Sequence, residues 1–432
     1  MIKIFKVNGL ENFLRVMKEQ NAFSKNLHLS SKEVRDTVTS VIADVATRGD
    51  AAVREYTETW DGCKLDSFEV SKERIDAAMD IVDPALVGVM KRAAKNIEDF
   101  HRHQIRDGFT IDKKNIILGQ RITPIERVGV CVPGFLGIMP SSVLMNCIPA
   151  KLAGVREIIV CTAPGRDGSV NPITLAAARI AGADRVFSIA GAQAAAALAY
   201  GTETIPKVNK ITGPGSAYLQ EAKRQLFGIV GIDMIAGPSD ILVIADSKAD
   251  PSLVAADMLS QNEHGVDSVS VLVTDSPSLA NDVAAEIEKQ IPNLQRNEFA
   301  RKSVDDNSMI IVVQNLDQAF EISNELAPEH LEIFLDEPMK YLDMVKNAGS
   351  VFLGKNAPEA LGDYYSGANH ILPTSGTAKF SSPLSVDDFV KKMSFTYYSH
   401  DALKAVADDI VMFAEAEGLQ AHGLSVSKRV KK

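Results

Sequence analysis

Cysteine is scarce in this 432-residue chain: Cys63, Cys131, Cys147 and Cys161 are the whole set, and none forms a Cys-x-x-Cys pair. That spacing argues against a disulfide framework and points to buried thiols in a reducing compartment. An excess of positive charge is also lacking. The formal net charge is -10 with acidic and basic residues interspersed, which excludes a dedicated surface for a phosphate backbone. Only the tail SKRVKK is locally basic, and it reads as a solvated end. No apolar run approaches the roughly 20 residues of a membrane span. The opening MIKIFKVNGLENFLRVMKEQ meets polar residues too soon for a signal peptide. Low-complexity tracts, strict repeats, a G-x-G-x-x-G fingerprint and a Walker motif are absent as well. The expectation is a soluble cytoplasmic protein with two or more cores and no nucleic-acid or membrane partner.

What is present is a change of rhythm. The first hundred or so residues carry helical periodicity with caps, as where Ser31 precedes apolar positions at helical spacing and Gly49 marks a stop. From about residue 127, β-branched runs (RVGVCVPG, EIIVCTAP, RVFSIAG, KITGPG, DILVIAD) alternate with alanine-rich helical stretches. A second series continues through SVSVLVTD, SMIIVVQN and SVFLGK. Two parallel-sheet α/β domains of Rossmann-like build with a crevice between them follow from that alternation. The expected organisation is a helical N-terminal segment (1–126), α/β domains at 127–240 and 241–377, and a C-terminal arm (378–432) ending in one long helix from about Asp401. A terminal helix of that kind rarely folds alone, so it docks on this chain or on a partner.

The eight histidines bound the chemistry. His28, His101, His103 and His400 flank helices in polar contexts and read as solvated surface. His264 follows Gln261 by three residues and Asp257 by seven, one helical face ending at a C-terminus, where a histidine also suits the helix dipole. Asp363 and His370 lie in the glycine-bracketed GDYYSGANH, a ligand loop or a polar turn. Glu417 and His422 are five apart and share no helical face unless the helix breaks near Gly418. Glu329 and His330, adjacent in APEHLEIF, are an acid/base pair, metal ligands or a loop; spacing leaves all three open. The turns VPGFLGIMPSS and ITGPGSAY each join a strand to a helix, a context in which backbone amides receive phosphate. Ser239, in a Gly-Pro-Ser turn, is a ligand contact or simply part of the turn.

Seven motifs in order, GPGSAYLQEAKRQ, IDMIAGPSDILVIAD, LSQNEHG, APEHLEI, AGSVFLG, PEALGDYYSGANHILPT and AEGLQAHGLSV, resemble the histidinol dehydrogenases. The resemblance covers nearly the whole chain and is weakest over the first hundred residues. It implies a zinc-containing, NAD-dependent enzyme that oxidises L-histidinol through L-histidinal to L-histidine. It places zinc on Gln261, His264, Asp363 and His422, the last supplied by the other subunit of a domain-swapped homodimer. Glu329 and His330 become the acid/base pair. The implied substrate contacts are Ser141, Ser239, Glu359, His370 and Glu417, together with His330 and the zinc ligands. Gln193 matches a cofactor contact.

Three positions depart from the family pattern: Cys131 in place of a tyrosine, Phe135 in place of a glycine and Ser216 in place of an asparagine. All fall in the presumed NAD region, where Cys131 and Ser216 stand at cofactor positions. They leave room for an alternative, a paralogous dehydrogenase acting on another amino alcohol or polyol.

Overall fold

The structure, a computed structural model, describes residues 2–19, 31–134 and 137–430. His28 and Phe135 lie outside the described residues. The chain is mixed α/β. Its strands, in chain order, are β1 (Lys3–Lys6), β2 (Phe109–Lys113), β3 (Ile116–Pro124), β4 (Arg127–Val132), β5 (Glu157–Thr162), β6 (Arg185–Phe187) and β7 (Lys210–Thr212). There follow β8 (Gly231–Ile232), β9 (Asp240–Ala245), β10 (Val269–Thr274), β11 (Met309–Val312), β12 (His330–Phe334), β13 (Ser350–Leu353) and β14 (Val390–Tyr398).

Two compact units result. The larger, Met1–Gln104 with Glu126–Phe389, holds two parallel sheets, ordered β6-β5-β4-β7-β8 and β1-β11-β10-β9-β12-β13. The β-branched runs form these strands because helices cover both sheet faces. Val128, Val130, Ile158 and Ile159 in one sheet, and Val243, Ile244 and Leu272 in the other, are fully buried. Helices start where the sequence offers caps. Asp250 accepts from the Ser252 N–H with Pro251 in the first turn, and Ser31 accepts from the Val34 N–H. All four thiols are buried. Among the described residues, no helix is long and apolar enough to cross a membrane.

The smaller unit, Ile105–Ile125 with Val390–Lys432, is an antiparallel sheet ordered β14-β3-β2 followed by helices His400–Ala416 and Gln420–Val430. The single long C-terminal helix of the sequence reading is therefore two. The break falls at Gly418, whose φ of 72° is left-handed and favours glycine.

Two other readings change. The N-terminal segment is not purely helical, because β1 pairs in parallel with β11 and extends the second sheet at its edge. His101 is not solvated: it is 0% exposed, with Nδ1 2.9 Å from the Ile97 carbonyl and Nε2 3.2 Å from Asn369 Nδ2. Its helix, Pro84–Arg102, turns that face toward the chain following residue 365, a contact that local polarity could not reveal.

Candidate active site

The second sheet builds the site from its topology. β10 and β11 lie on one side of β9, and β12 lies on the other. The amino ends of β9 and β12 are thus neighbours, with His330 in register with Ile241. The helix Pro251–Asn262 leaves the carboxyl end of β9 and returns antiparallel to it, so its last turn, with Gln261 and then His264, arrives at that amino edge. Side chains alternate along β12. Leu331, Ile333 and Leu335 enter the apolar core with Leu242 and Ile244, which turns His330 and Glu332 to the opposite face.

On that face a dense polar cluster forms. Glu329 is 6% exposed and His330 4%. The Asp240 N–H donates to Glu329 Oε2 at 3.0 Å, and the Glu329 N–H donates to Asp240 Oδ1 at 2.7 Å. His330 Nδ1 lies 2.9 Å from the Asp240 carbonyl oxygen; its Nε2 lies 3.7 Å from Glu359 Oε1 and 4.0 Å from Asp363 Oδ1. Glu332 accepts the Glu359 N–H at 2.7 Å, which fixes the start of the short helix Glu359–Tyr364. Ser260 donates to Glu359 Oε2 at 3.1 Å. His370 takes its orientation from the Asp363 carbonyl, 2.9 Å from Nδ1, and places Nε2 3.3 Å from Ser142 Oγ. Ser142 lies on the helix Pro140–Ala153 that follows β4, so this contact joins the two sheets' elements.

Burial sets the protonation. It raises Glu329 well above the ordinary carboxylate range, with the Asp240 charge adding to it. Burial likewise lifts Glu359 to about 7, helped by Asp363, and lifts Asp363, Asp257 and Asp240 each to about 6. Glu332 is raised as well, first by burial and then by Asp257. His330 and His370 are pushed down to about 4, chiefly by burial, and are neutral at pH 7. His264 has solvent access, yet enough protein crowds its ring to lower its pKa through desolvation. Six carboxyls therefore crowd one site. Among the described residues, no lysine or arginine forms an ion pair with any of the six.

Enclosed carboxylates without cationic partners need protons or a metal ion. His330, Glu359 and Asp363 each offer a donor atom, all within 4.8 Å of one another. Gln261 is 0% exposed, and neither its amide oxygen nor its nitrogen has a hydrogen-bond partner. An enclosed amide carrying two unmet groups is costly unless something fills the gap, and its oxygen is a metal donor. Nitrogen and oxygen donors of this kind suit zinc or a harder divalent ion.

The first sheet contributes main chain. Gly213 follows β7 with φ 108°, and a Cβ there would lie 2.1 Å from the Cys131 carbonyl oxygen. Its N–H donates to Asp233 Oδ2 at 2.7 Å, and its carbonyl accepts from Lys223 Nζ at 3.1 Å. Lys223 and Asp233 form an ion pair with both side chains fully enclosed. Ser216 caps the helix Ala217–Leu226 by accepting the Leu219 N–H. Cys131 points into the apolar core, where burial raises its thiol to about 12. Gln193 is 2% exposed and its Oε1 has no partner.

The structure brings Glu329, His330, Glu359, Asp363 and His370 together. Ser141 is half-buried beside Ser142, and Ser239 is half-buried next to Asp240. Glu417 and His422 belong to the smaller unit, where both are exposed. Asp240, Glu332 and Ser142 were missed by motif reading. For Glu332 a signal existed: a charge in the middle of the apolar strand HLEIF, two residues after His330 and on its face.

Comparison with known proteins agrees with the motifs. The histidinol dehydrogenase family model matches residues 25–430. Histidinol dehydrogenase from Bacillus cereus is 48% identical over 420 residues, 97% of this chain and 98% of its own length. The enzyme of that name from Clostridium acetobutylicum is 47% identical over 431 residues, 98% of this chain and 100% of its own. The crystal structure of histidinol dehydrogenase from Elizabethkingia anophelis superposes with a TM-score of 0.91 at 36% identity, covering 100% of this chain and 98% of that one. On the combined evidence of motifs, fold and full-length similarity, the chain belongs to the histidinol dehydrogenase family.

Proposed function

We propose that this chain oxidises L-histidinol through L-histidinal to L-histidine, with zinc and NAD as its cofactors. The observation that carries the metal is Gln261, an enclosed amide with both polar atoms unmet, directly after the Ser260 that bonds Glu359. Gln261, His264 and Asp363 would hold the ion, with His422 completing the set from a second copy of the chain. When bound, zinc supplies an attachment point for the substrate's imidazole and amine, and NAD supplies the hydride acceptor.

The chain's own residues handle the protons. A carbonyl oxygen only accepts, so His330 donates from Nδ1 to Asp240 and keeps its lone pair on Nε2. Neutral at pH 7, His330 takes the hydroxyl proton of the alcohol as the C–H bond breaks, leaving the aldehyde. The aldehyde must be hydrated before it can lose a second hydride. Glu329, whose carboxyl burial raises well above the ordinary range and so makes a stronger base once ionised, takes a proton from the water whose oxygen adds to the aldehyde carbon. His330 returns the proton taken from the alcohol to the carbonyl oxygen, completing the hydrate and becoming neutral again; it then accepts a hydroxyl proton of the hydrate as the second hydride leaves for a second NAD, and the acid results. Ser141, Ser239, Glu359 and His370 line the substrate, with Glu417 from the partner copy.

The nucleotide falls to the first sheet. Its strand order reverses at β4, with β5 on one side and β7 on the other, and α/β sheets receive ligands outside the carboxyl ends at such a point. Gln193, with its unmet Oε1, the last residues of β4 at Cys131 and the helix start capped by Ser216 belong to that edge.

Sharing of sites rests on a homodimer. Met412 and Phe413 are 70% and 71% exposed on the C-terminal helices, and Leu424 is 52% exposed, an apolar surface fit for a second copy. Purified protein with Zn2+, NAD and L-histidinol should form NADH. Absence of NADH with histidinol, but formation from another amino alcohol, sinks the substrate assignment. Mixed His422→Asn and Glu329→Gln chains should regain activity, and no regain in verified heterodimers would contradict shared sites.

A further inference from the structure

We propose that Asp240 is the positioning residue that locks the acid/base pair in register, a role that rests on the assignment of proton transfer to Glu329 and His330. Asp240 opens β9 beside the start of β12, and its polar groups are committed across that junction. The N–H holds Glu329 Oε2 at 3.0 Å, the carbonyl holds His330 Nδ1 at 2.9 Å, and Oδ1 accepts the Glu329 N–H at 2.7 Å. Oδ2 accepts the Ser375 N–H at 3.1 Å, tying the loop after His370 to the same carboxylate.

A strand's first residue ordinarily spends its side chain on water or on a turn. Here one aspartate bonds the side chain of each member of an adjacent pair and the backbone of one of them. The exchange with Glu329 is reciprocal, carboxylate to N–H in both directions; the Asp240 carboxylate cannot rotate without releasing the Glu329 and Ser375 N–H groups, and the Glu329 carboxylate cannot swing without losing the Asp240 N–H. The carbonyl contact fixes the His330 tautomer and aims Nε2 at Glu359 and Asp363. Both Asp240 oxygens face main-chain N–H donors, an arrangement that an aspartate completes and an amide cannot: in Asp240→Asn, one NH2 donor must meet an N–H. In that variant the main-chain bonds from residue 240 to Glu329 Oε2 and His330 Nδ1 remain; what weakens is the side-chain clamp on the Glu329 N–H, which lies just outside the β12 ladder, whereas the His330 main chain stays paired within it. The hydration step is therefore the one that suffers.

A double-mutant cycle tests this in the full-length zinc-loaded enzyme, with oxidation of histidinol and of histidinal followed separately. Asp240→Asn should lower kcat for histidinal about 100-fold, the scale of a misplaced catalytic group. KM for histidinal should change little, and histidinol oxidation should fall much less. Placed on Glu329→Gln, the same substitution should add little, since its target is already disabled. Equal losses on both substrates, or a full multiplicative loss in the Glu329→Gln background, overturns the proposal. A Glu329→Gln chain that oxidises histidinal normally overturns the parent assignment instead. In the unmutated protein, 15N NMR should find His330 neutral with the proton on Nδ1. The Nε2-protonated tautomer would contradict the Asp240 contact independently of any variant.

Discussion

The two parallel sheets of the larger unit offer opposite edges to chemistry. In β6-β5-β4-β7-β8 the notable residues follow carboxyl ends: Gly134 after β4, and Gly213 and Ser216 after β7. These turns feed helix N-termini, whose free N–H groups suit an anion such as a nucleotide phosphate. In the β9–β13 sheet they gather at amino ends: Asp240 opens β9, Glu329 precedes and His330 opens β12, and Gln261 lies in the last turn of a returning helix. That edge receives helix C-termini, whose carbonyl dipoles favour a cation, and it concentrates six carboxyls with histidines. The same βα unit, approached from its two ends, makes sites of opposite polarity.

That contrast breaks most completely at His330. His330→Asn should lower turnover of both histidinol and histidinal by about 10²–10⁴-fold, the range for a general base, with NAD binding unchanged. Turnover assays on each substrate, with cofactor binding by fluorescence, check it.

Removing the metal should expose the charge problem of the second sheet. Asp240, Asp257 and Asp363 titrate at about 6 and Glu359 at about 7, above the ordinary values of about 3.9–4.3. Their contribution to stability is complete below the ordinary values and is lost as pH climbs through 6 and 7. His330 and His370, lowered to about 4, act the other way: their contribution is present above about 6.5 and is lost as pH falls through 4. The carboxyls outnumber the imidazoles. Zinc-free protein should therefore lose on the order of 2–5 kcal/mol between pH 4 and 7, and Zn2+ should restore more at pH 7.5 than at pH 5. Denaturant midpoints with and without the ion decide it; equal restoration at both pH values would contradict the account.

The first sheet should answer differently. Gly213→Ala places a Cβ against the Cys131 carbonyl at a left-handed φ and should cost about 1–3 kcal/mol. KM for NAD should rise while bound zinc, measured by metal analysis, stays constant. The smallest effect belongs to Ser216→Ala, which removes one helix cap worth about 1 kcal/mol, while Ser216→Asn keeps it. Thermal melts separate these two.

Much of the fold could be read in the sequence because its strands are buried on both faces and its helices carry local caps. Runs such as DILVIAD and SVSVLVTD advertise β9 and β10 by composition alone. β1 escaped notice because KIFK is short and its partner, β11, lies far along the chain. The hairpin β2–β3 was masked by polar residues, and its sheet closes with β14 from the chain's other end. His101 looked solvated because its partner Asn369 is equally distant in sequence. Within the candidate site, Gln261 and His264 share a helix end and so were visible together. Asp240 was not, since its role consists of bonds to another strand, while Glu332 left only the trace of a charge inside HLEIF, its bond to the Glu359 helix being distant in sequence.

The most direct test of the central claim, that the amino-edge pair divides the proton work, is the yield of NADH per histidinol consumed by Glu329→Gln. The account predicts two NADH from the unmodified enzyme and close to one from the variant, with histidinal released. A variant that still yields two, slowed equally at both steps, would contradict it.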